Sequence, residues 1–412
     1  MKIGIISQWY APEPIFIAGN LAGELARRGH EVRALTAFPN YPQGRIQPGY
    51  RQRWNHQERA AGVNIRRVPI YPSHDNSPLR RVANLGSFAA TSLLAAPRFL
   101  AGVDVVYAYC PPPTVFAAPF ALRVLRGVPV LLHVQDMWPE SVSGSDLAPG
   151  GLVGSAMDRA LHVVMRGVYR ASAGIAVISE SMAELVIERG ADPARVRVVL
   201  NWTDETLFRP VPPSDGARAE IGHRGRCTIM FAGNMGPFQR VETAIRAAAA
   251  NADLVDLVLV GSGTEEADAR RLADELGADN IRFVGRRAPE EMSALYAASD
   301  FQLVILRDLP ALRGTVPSKL QAALACARPV IVSAAGDAAT LVTASGVGLA
   351  APAEDWRALA ERFAAAAALP SSTRADMGRR AQQMYRDRMS LRVGVDQIED
   401  MLTKMTSARG TV

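Results

Sequence analysis

The strongest constraint on this chain is one pattern used twice. Short apolar, β-branched runs alternate with amphipathic helical stretches, first across the N-terminal half and then again across the C-terminal half. Lys2–Ser7 (KIGIIS) reads as a buried strand, Ile17–Arg28 as an amphipathic helix ending at Gly29, and Val32–Thr36 as a second strand. Val103–Tyr109, Pro129–Val134 and Gly174–Ile178 continue the series, with a helix over Glu180–Glu188. The second block offers Thr228–Phe231, Leu254–Val260, Ile281–Val284, Phe301–Ile305 and Val330–Val332, each followed by a helical pattern. Strands separated by helices cannot pair as hairpins, so they predict parallel sheets covered by helices on both faces.

Two such blocks in 412 residues predict two Rossmann-like α/β domains in series. Val196–Leu200 reads as the last strand of the first block, and the Pro-rich stretch Phe208–Pro213 follows it as a linker. The expected division is therefore 1–209, 210–385 and a charged helical tail over 386–412 that packs back across the domains. Ligands of doubly wound sheets bind at the carboxyl ends of the strands, so a cleft between the domains is the expected site. The opening MKIGIIS reads as a strand rather than as a signal peptide. Cys110, Cys227 and Cys326 have no metal-like or disulfide-framework spacing, which fits a reducing cytoplasm.

Charge is unevenly placed. Residues 1–100 hold 13 Lys and Arg against 5 Asp and Glu, and the rest holds 33 against 35. Arg45, Arg51, Arg53, Arg59, Arg66, Arg67, Arg80 and Arg81 carry most of the surplus. Such a patch suits an anionic membrane, an acidic substrate or plain solvation. It lacks the interleaved aromatics of a single-strand nucleic-acid surface, so no nucleic-acid partner is expected. Val82–Pro97 has no charge and lies between Arg80-Arg81 and Arg98. It is too short to span a bilayer and reads equally as a membrane-surface helix or a core helix.

Several strand ends carry chemistry. Phe231-Ala232-Gly233-Asn234-Met235-Gly236 ends a strand before Gln239 and Arg240, and its glycines permit close backbone approach. Gly261 and Gly263 resemble the start of a dinucleotide fingerprint but lack its third glycine, which argues against NAD and for a ligand approaching the backbone. His133, Asp136 and Glu140 lie at another strand end, where an Asp beside Trp138 suits proton transfer. In Arg313–Val332 (RGTVPSKLQAALACARPVIV) a polar turn leads through Pro317 and Ser318 into a helix whose N-terminus suits an anion. Only six histidines occur in the chain, and no metal site is expected.

In combination these stretches resemble glycosyltransferase family 4, a group of retaining enzymes with GT-B architecture. The likeness rests on Arg28–Val32 (RGHEV), Thr36–Gly44, Gln135–Ser141 (QDMWPES), Asn201–Phe208, FAGNMG, GSGTEE and Pro317–Leu320, and covers nearly the whole chain. It is most similar to the WbuB-type enzymes of bacterial surface-polysaccharide assembly. The resemblance implies that the C-terminal domain binds a nucleotide-diphosphate sugar, expected to be UDP-linked, and that the N-terminal domain binds the acceptor. It implies transfer with retention, without metal or other cofactor.

The residue pattern departs from that family. Its diphosphate-binding Arg and Lys fall on Asn234 and Gln239, its paired glutamates on Gly314 and Ala322, and its catalytic histidine on Gln135. Its first-loop glycine pair is reduced to Ala18-Gly19. The expected donor contacts are therefore Gly19, Gly233, Asn234, Gly236, Gln239, Arg240, Arg313, Thr315, Ser318, Lys319 and Gln321, with Lys319 central. Asp136 and His133 are the expected catalytic pair. The resulting expectation is a cytoplasmic enzyme, peripheral at the inner face of the cytoplasmic membrane, that moves a sugar to a lipid-linked saccharide acceptor. The missing charged contacts leave a catalytically silent GT-B module, acting as scaffold or partner subunit, as the alternative.

Overall fold

The computed structural model describes residues 1–73, 77–140 and 151–409. Ser141 of the QDMWPES run, and residues 410–412 of the predicted tail, lie outside the described residues. The chain divides into one unit of Met1–Leu200, which the stretch from Gly394 rejoins, and a second of Asn201–Val393. The sequence-based boundary at 209/210 lies beyond that division, in the Pro-rich stretch.

The first unit runs β1 (Lys2–Ser7), α1 (Ile17–Arg27), β2 (Glu31–Ala37), β3 (His56–Ala60), β4 (Val63–Val68), α2 (Pro78–Phe99), β5 (Val105–Cys110), α3 (Ala117–Arg126), β6 (Val130–Val134), α4 (Gly151–Ala171), β7 (Gly174–Val177), α5 (Glu180–Glu188) and β8 (Val196–Val198). Its eight-stranded sheet has the order β3-β4-β2-β1-β5-β6-β7-β8. All neighbours are parallel except β3 and β4, which form an antiparallel edge. Interior strands such as β5 and β6 are buried at every residue, because helices cover both faces and no polar alternation is needed.

The β3–β4 edge has no counterpart in the strand pattern of the sequence. Its strands read HQERA and VNIRRV, and their charges mask the apolar positions. Arg67 is buried and donates to Glu58 and to the carbonyls of Ala37 and Ala11, with its guanidinium 5.0 Å from the Tyr50 ring centroid. Arg66 is buried as well and donates to Trp54 O. Both were expected on an exposed basic patch, and both belong instead to the packed edge of the sheet.

The charge-free Val82–Pro97 stretch lies within α2. Phe88, Ala95 and Ala96 enter the core, as the core-helix reading expects, while Val82, Leu93 and Leu94 remain exposed on the helix.

The second unit runs α6 (Asp215–Ile221), β9 (Cys227–Ala232), α7 (Val241–Ala249), β10 (Val255–Val260), α8 (Glu266–Glu275), β11 (Ile281–Gly285), α9 (Met292–Ala298), β12 (Phe301–Ile305), α10 (Pro310–Arg313), α11 (Ser318–Ala325), β13 (Val330–Ser333), α12 (Asp337–Ala344), β14 (Gly348–Ala351), α13 (Trp356–Ala368) and α14 (Ser371–Met384). Its six strands are all parallel in the order β11-β10-β9-β12-β13-β14. The carboxyl ends of β9, β10 and β12 therefore lie side by side, and the FAGNMG, GSGTEE and RGTVPSK stretches all follow them.

The final helix, α15 (Leu391–Arg409), docks on the first unit through charge. Arg28 Nη1 lies 2.7 Å from Asp396 and 2.6 Å from Glu399, and His30 Nε2 lies 2.6 Å from the other Glu399 oxygen. Arg197 pairs with Asp400 at 2.6 Å. Glu399 thus joins α15 to both flanks of Gly29. Glu399→Ala should cost about 2 kcal/mol, the scale of a charge-assisted hydrogen bond. Faster amide exchange across residues 394–409, with little change in the second unit, is the expected readout.

Candidate functional site

In the second unit the turns after β9 and β10 are zipped together by their backbones. Gly233 N donates to Val260 O at 2.8 Å, Met235 N to Ser262 O at 3.0 Å, and Glu265 N to Met235 O at 3.0 Å. A Cβ on Gly261 (φ +126°) would collide with Gly233 O, and one on Gly263 with Met235 O. These two glycines were expected to admit a ligand to the backbone. The structure corrects this: the backbone of the neighbouring turn takes that space.

Gly233 differs. It has φ +145°, and a Cβ there would collide with Lys319 Cε and crowd Nζ. Lys319 stands in the first turn of α11, with Nζ 3.9 Å from the Phe231 ring centroid. No carboxylate or other acceptor reaches its amine among the described residues. Its ring contact offsets part of the desolvation of a cation, but burial still lowers its amine to about 7. Lys319 is half-buried as a residue, and it belongs to the first turn of α11, where a helix leaves backbone N–H groups unbonded. Pro317 at the N-cap supplies no side-chain cap. A half-buried, unpaired ammonium at an uncapped helix start attracts an anion.

The remaining predicted donor residues surround this point unequally. Gln239 Oε1 accepts from Gly236 N at 3.2 Å and so shapes the turn, while Asn234 is exposed on it. Ser318 is exposed and Thr315 half-buried ahead of α11. Gln321 is buried, and its amide donates to Val316 O at 3.3 Å, which ties down the approach to the helix.

Two cations expected to be available are already paired. Arg313 contacts Asp308 at 2.8 Å on the surface. Arg240 occupies the left-handed region at φ +49° and lies 2.8 Å from Glu242 and 3.2 Å from Glu354. Glu354 also has positive φ (+60°), accepts from Asp308 N at 3.0 Å, and lies 3.9 Å from Arg307. Sequence reasoning missed Glu242, Arg307 and Glu354, because they follow three different strands or helices and no local spacing joins them.

In the first unit His133 is fully buried and shares a 2.6 Å hydrogen bond with Tyr107 Oη. Burial lowers its imidazole to about 3, so it stays neutral. This corrects the expectation of His133 at an acceptor hydroxyl: it is the fourth residue of an entirely buried strand and faces the core. Asp136 lies past the strand end and is exposed. Dense surroundings desolvate its carboxyl and raise it to about 6, although water at the side chain screens part of that effect. Arg189 fixes the following segment by donating to Trp138 O and pairing with Glu140. Gly19 lies half-buried in the first turn of α1, and a Cβ there would meet only Ala11 Cβ at 3.9 Å. Among the described residues no group of three His, Cys, Asp or Glu side chains could hold a metal ion.

Comparison with known proteins agrees with this geometry. Residues 17–202 match the family model "Glycosyl transferase 4-like domain", and residues 217–384 match "Glycosyl transferases group 1". The chain is 30% identical over 349 residues to WcaI of Escherichia coli K12, a glycosyl transferase assigned to colanic acid biosynthesis, with 81% of this chain and 83% of WcaI covered. Among solved structures, sucrose-phosphate synthase from Thermosynechococcus elongatus superposes with a TM-score of 0.74 at 19% identity, over 99% of this chain and 100% of that one. Anabaena HepE in complex with UDP-glucose superposes with a TM-score of 0.68 at 17% identity, over 98% and 100%. The fold is GT-B.

The contact of Lys319 with Gly233 is directly testable. In the wild type its amine should titrate near 7, read from the Lys319 Cε shifts in lysine-labelled protein. In Gly233→Ala the collision should expel the side chain and move that titration toward the ordinary 10.5, with a stability loss of about 1–3 kcal/mol from the forced backbone conformation.

Proposed function

Taking as premise that this chain belongs to the glycosyltransferases of the 4-like and group 1 families, we propose that it is a retaining, metal-independent enzyme of WbuB type. In this reading it transfers a sugar from a UDP-linked donor to a lipid-linked saccharide during bacterial surface-polysaccharide assembly. The observation that carries it is the unpaired Lys319 amine at the start of α11, against the Gly233 turn. A departing diphosphate needs positive charge and oriented N–H groups where its charge develops. Lys319 and the first turn of α11 supply both. Asp136 is the group assigned to the acceptor hydroxyl, and its raised pKa suits a base working near neutrality. Gly19, where a Cβ would meet a single ordinary contact, is the position assigned to close approach of a donor phosphate.

The site makes a signed prediction. Phosphate binds the ammonium, so affinity for UDP should be full below pH 7 and should weaken as pH rises through the Lys319 pKa of about 7. The fall is at most about tenfold per pH unit, and pH 7.5–9 is the window to test because a phosphate with pKa about 6 is already ionised there. Lys319→Ala should bind UDP roughly thirtyfold more weakly, about 2 kcal/mol, and should lose this pH dependence. The carboxylates on Arg240 and Arg313 favour the silent-module alternative, and calorimetry decides: no heat from UDP-, GDP- or dTDP-sugars at millimolar concentration would establish it.

The reading also places the enzyme at the inner face of the cytoplasmic membrane. No helix among the described residues is long and apolar enough to cross a bilayer. Helices α2 and α3 pack against each other and contain no Asp or Glu. Their outer surfaces expose Leu79, Val82, Leu94, Phe120, Val124 and Leu125 beside Arg81, Arg123 and Arg126. Apolar side chains mixed with cations suit an anionic bilayer surface. Val124→Asp with Leu125→Asp should cut sedimentation with phosphatidylglycerol vesicles at least tenfold and leave UDP affinity unchanged.

A further inference from the structure

The basic surplus of the first hundred residues does not form one surface. Arg66 and Arg67 are buried, and Arg80 and Arg81 open α2. Arg45, Arg51 and Arg53 belong to neither element, and lie in the long connection from Phe38 to Asn55 between β2 and β3. That connection contains no Asp or Glu. All three of its arginines are exposed, and none has an ion-pair or hydrogen-bond partner among the described residues.

The backbone that carries them is closely tethered. The carboxylate of Glu13, itself buried, accepts from Asn40 N and Tyr41 N at 2.8 Å each and from Tyr10 N at 3.0 Å. Gln47 donates through its backbone to Pro39 O and through its side chain to Tyr41 O, which closes the loop around Arg45. Tyr50, before Arg51, packs against Phe38 and lies under the Arg67 guanidinium. Gln52, between Arg51 and Arg53, accepts from Ile70 N at 2.7 Å. The loop leaves the carboxyl end of β2 and joins the β1–α1 connection through Glu13 and the Trp9–Tyr41 ring contact at 6.0 Å. It therefore borders the sheet edge where ligands of this fold class sit.

A tethered loop carries three like charges, whose mutual repulsion is felt over about 10 Å at 0.1 M salt, and supplies no counter-charge. Binding an anion relieves that repulsion, and the loop needs no reordering first. Guanidinium matches phosphate oxygens in pairs and keeps its charge at every working pH. We propose that the 38–55 loop is an anion-recognising lip of the acceptor site, and that it takes the diphosphate joining the acceptor saccharide to its lipid. The proposal rests on the reading that the first unit binds the acceptor.

The test uses the full-length protein saturated with UDP, so that added diphosphate does not report on the donor site. Geranyl diphosphate, inorganic pyrophosphate, glucuronate and phosphatidylglycerol vesicles are titrated against the wild type, the R45Q/R51Q/R53Q triple variant and an R59Q control on the neighbouring strand. Geranyl diphosphate should bind the wild type and R59Q alike, and the triple variant at least tenfold more weakly with a shallower salt dependence. UDP affinity, measured separately, should be the same in all three, and a wild type that fails to bind UDP overturns the donor reading without touching the lip. Equal affinity of the triple variant and the wild type for geranyl diphosphate overturns the lip. So does a wild type that binds glucuronate but neither diphosphate, or a triple variant that loses only vesicle binding. Unchanged circular dichroism and melting temperature of the triple variant exclude loss of folding as the cause.

Discussion

The arrangement of the second unit depends on one backbone contact, that between the turns following β9 and β10. With Gly233 O occupying the place of a Gly261 side chain, and Met235 O that of Gly263, neither turn can move without separating the other. The two turns share their N–H and carbonyl groups, so their polar backbone is satisfied internally. What remains open is the other side of Gly233, where the absence of a Cβ leaves room for the Lys319 stem. The position of the unpaired Lys319 amine at this sheet end thus follows from three glycines in two distant turns. Pro317 then starts α11, the helix whose first turn carries Lys319, without a side-chain cap.

Much of this frame is legible in sequence, for a definite reason. Strands covered on both faces are continuous apolar runs, and KIGIIS, VVYAYC, VLLHV and VDLVLV are distinguishable from amphipathic helices by their length and branching. Two kinds of strand escape that test. In β4 the buried Arg67 is satisfied by Glu58 and two carbonyls brought from elsewhere in the chain, so a charge stands where the pattern requires an apolar residue. In β14 the segment GLAA is nearly featureless, and Gly348 is there because a Cβ would collide with Val330 O of the neighbouring strand. Both cases turn on a partner remote in sequence.

The candidate site divides along the same line. That Gly233, Gly236 and Lys319 matter is readable from a glycine turn at one strand end and a Pro-Ser-Lys helix start after another. Why they matter is not, since the Gly233–Lys319 contact joins residues far apart in the chain. Charge is the least legible property of all. His133 appears beside Asp136 at a strand end, yet strand geometry turns it into the core and Tyr107 holds it there. Arg240 and Arg313 count as cations in the sequence and are neutralised in the structure by Glu242, Glu354 and Asp308. Composition reports how many charges a segment has, and only the fold reports which of them are already paired.

That distinction bears on how the proposed donor site would work with fewer charged contacts than the family resemblance implies. An arginine held by two carboxylates must lose them before it gains a phosphate, and the exchange returns little net free energy. An unpaired amine has no partner to lose. Lys319 is held against a ring and a glycine, partly out of water, with its ammonium form disfavoured by burial. A diphosphate placed beside it restores the charge that burial suppressed, and does so most strongly when the leaving group carries its full negative charge. Interaction that grows as charge develops is what lowers a barrier, whereas interaction already present with the bound donor does not. On the proposed donor reading, one desolvated lysine at an uncapped helix start would concentrate in a single contact what paired arginines and glutamates distribute over four.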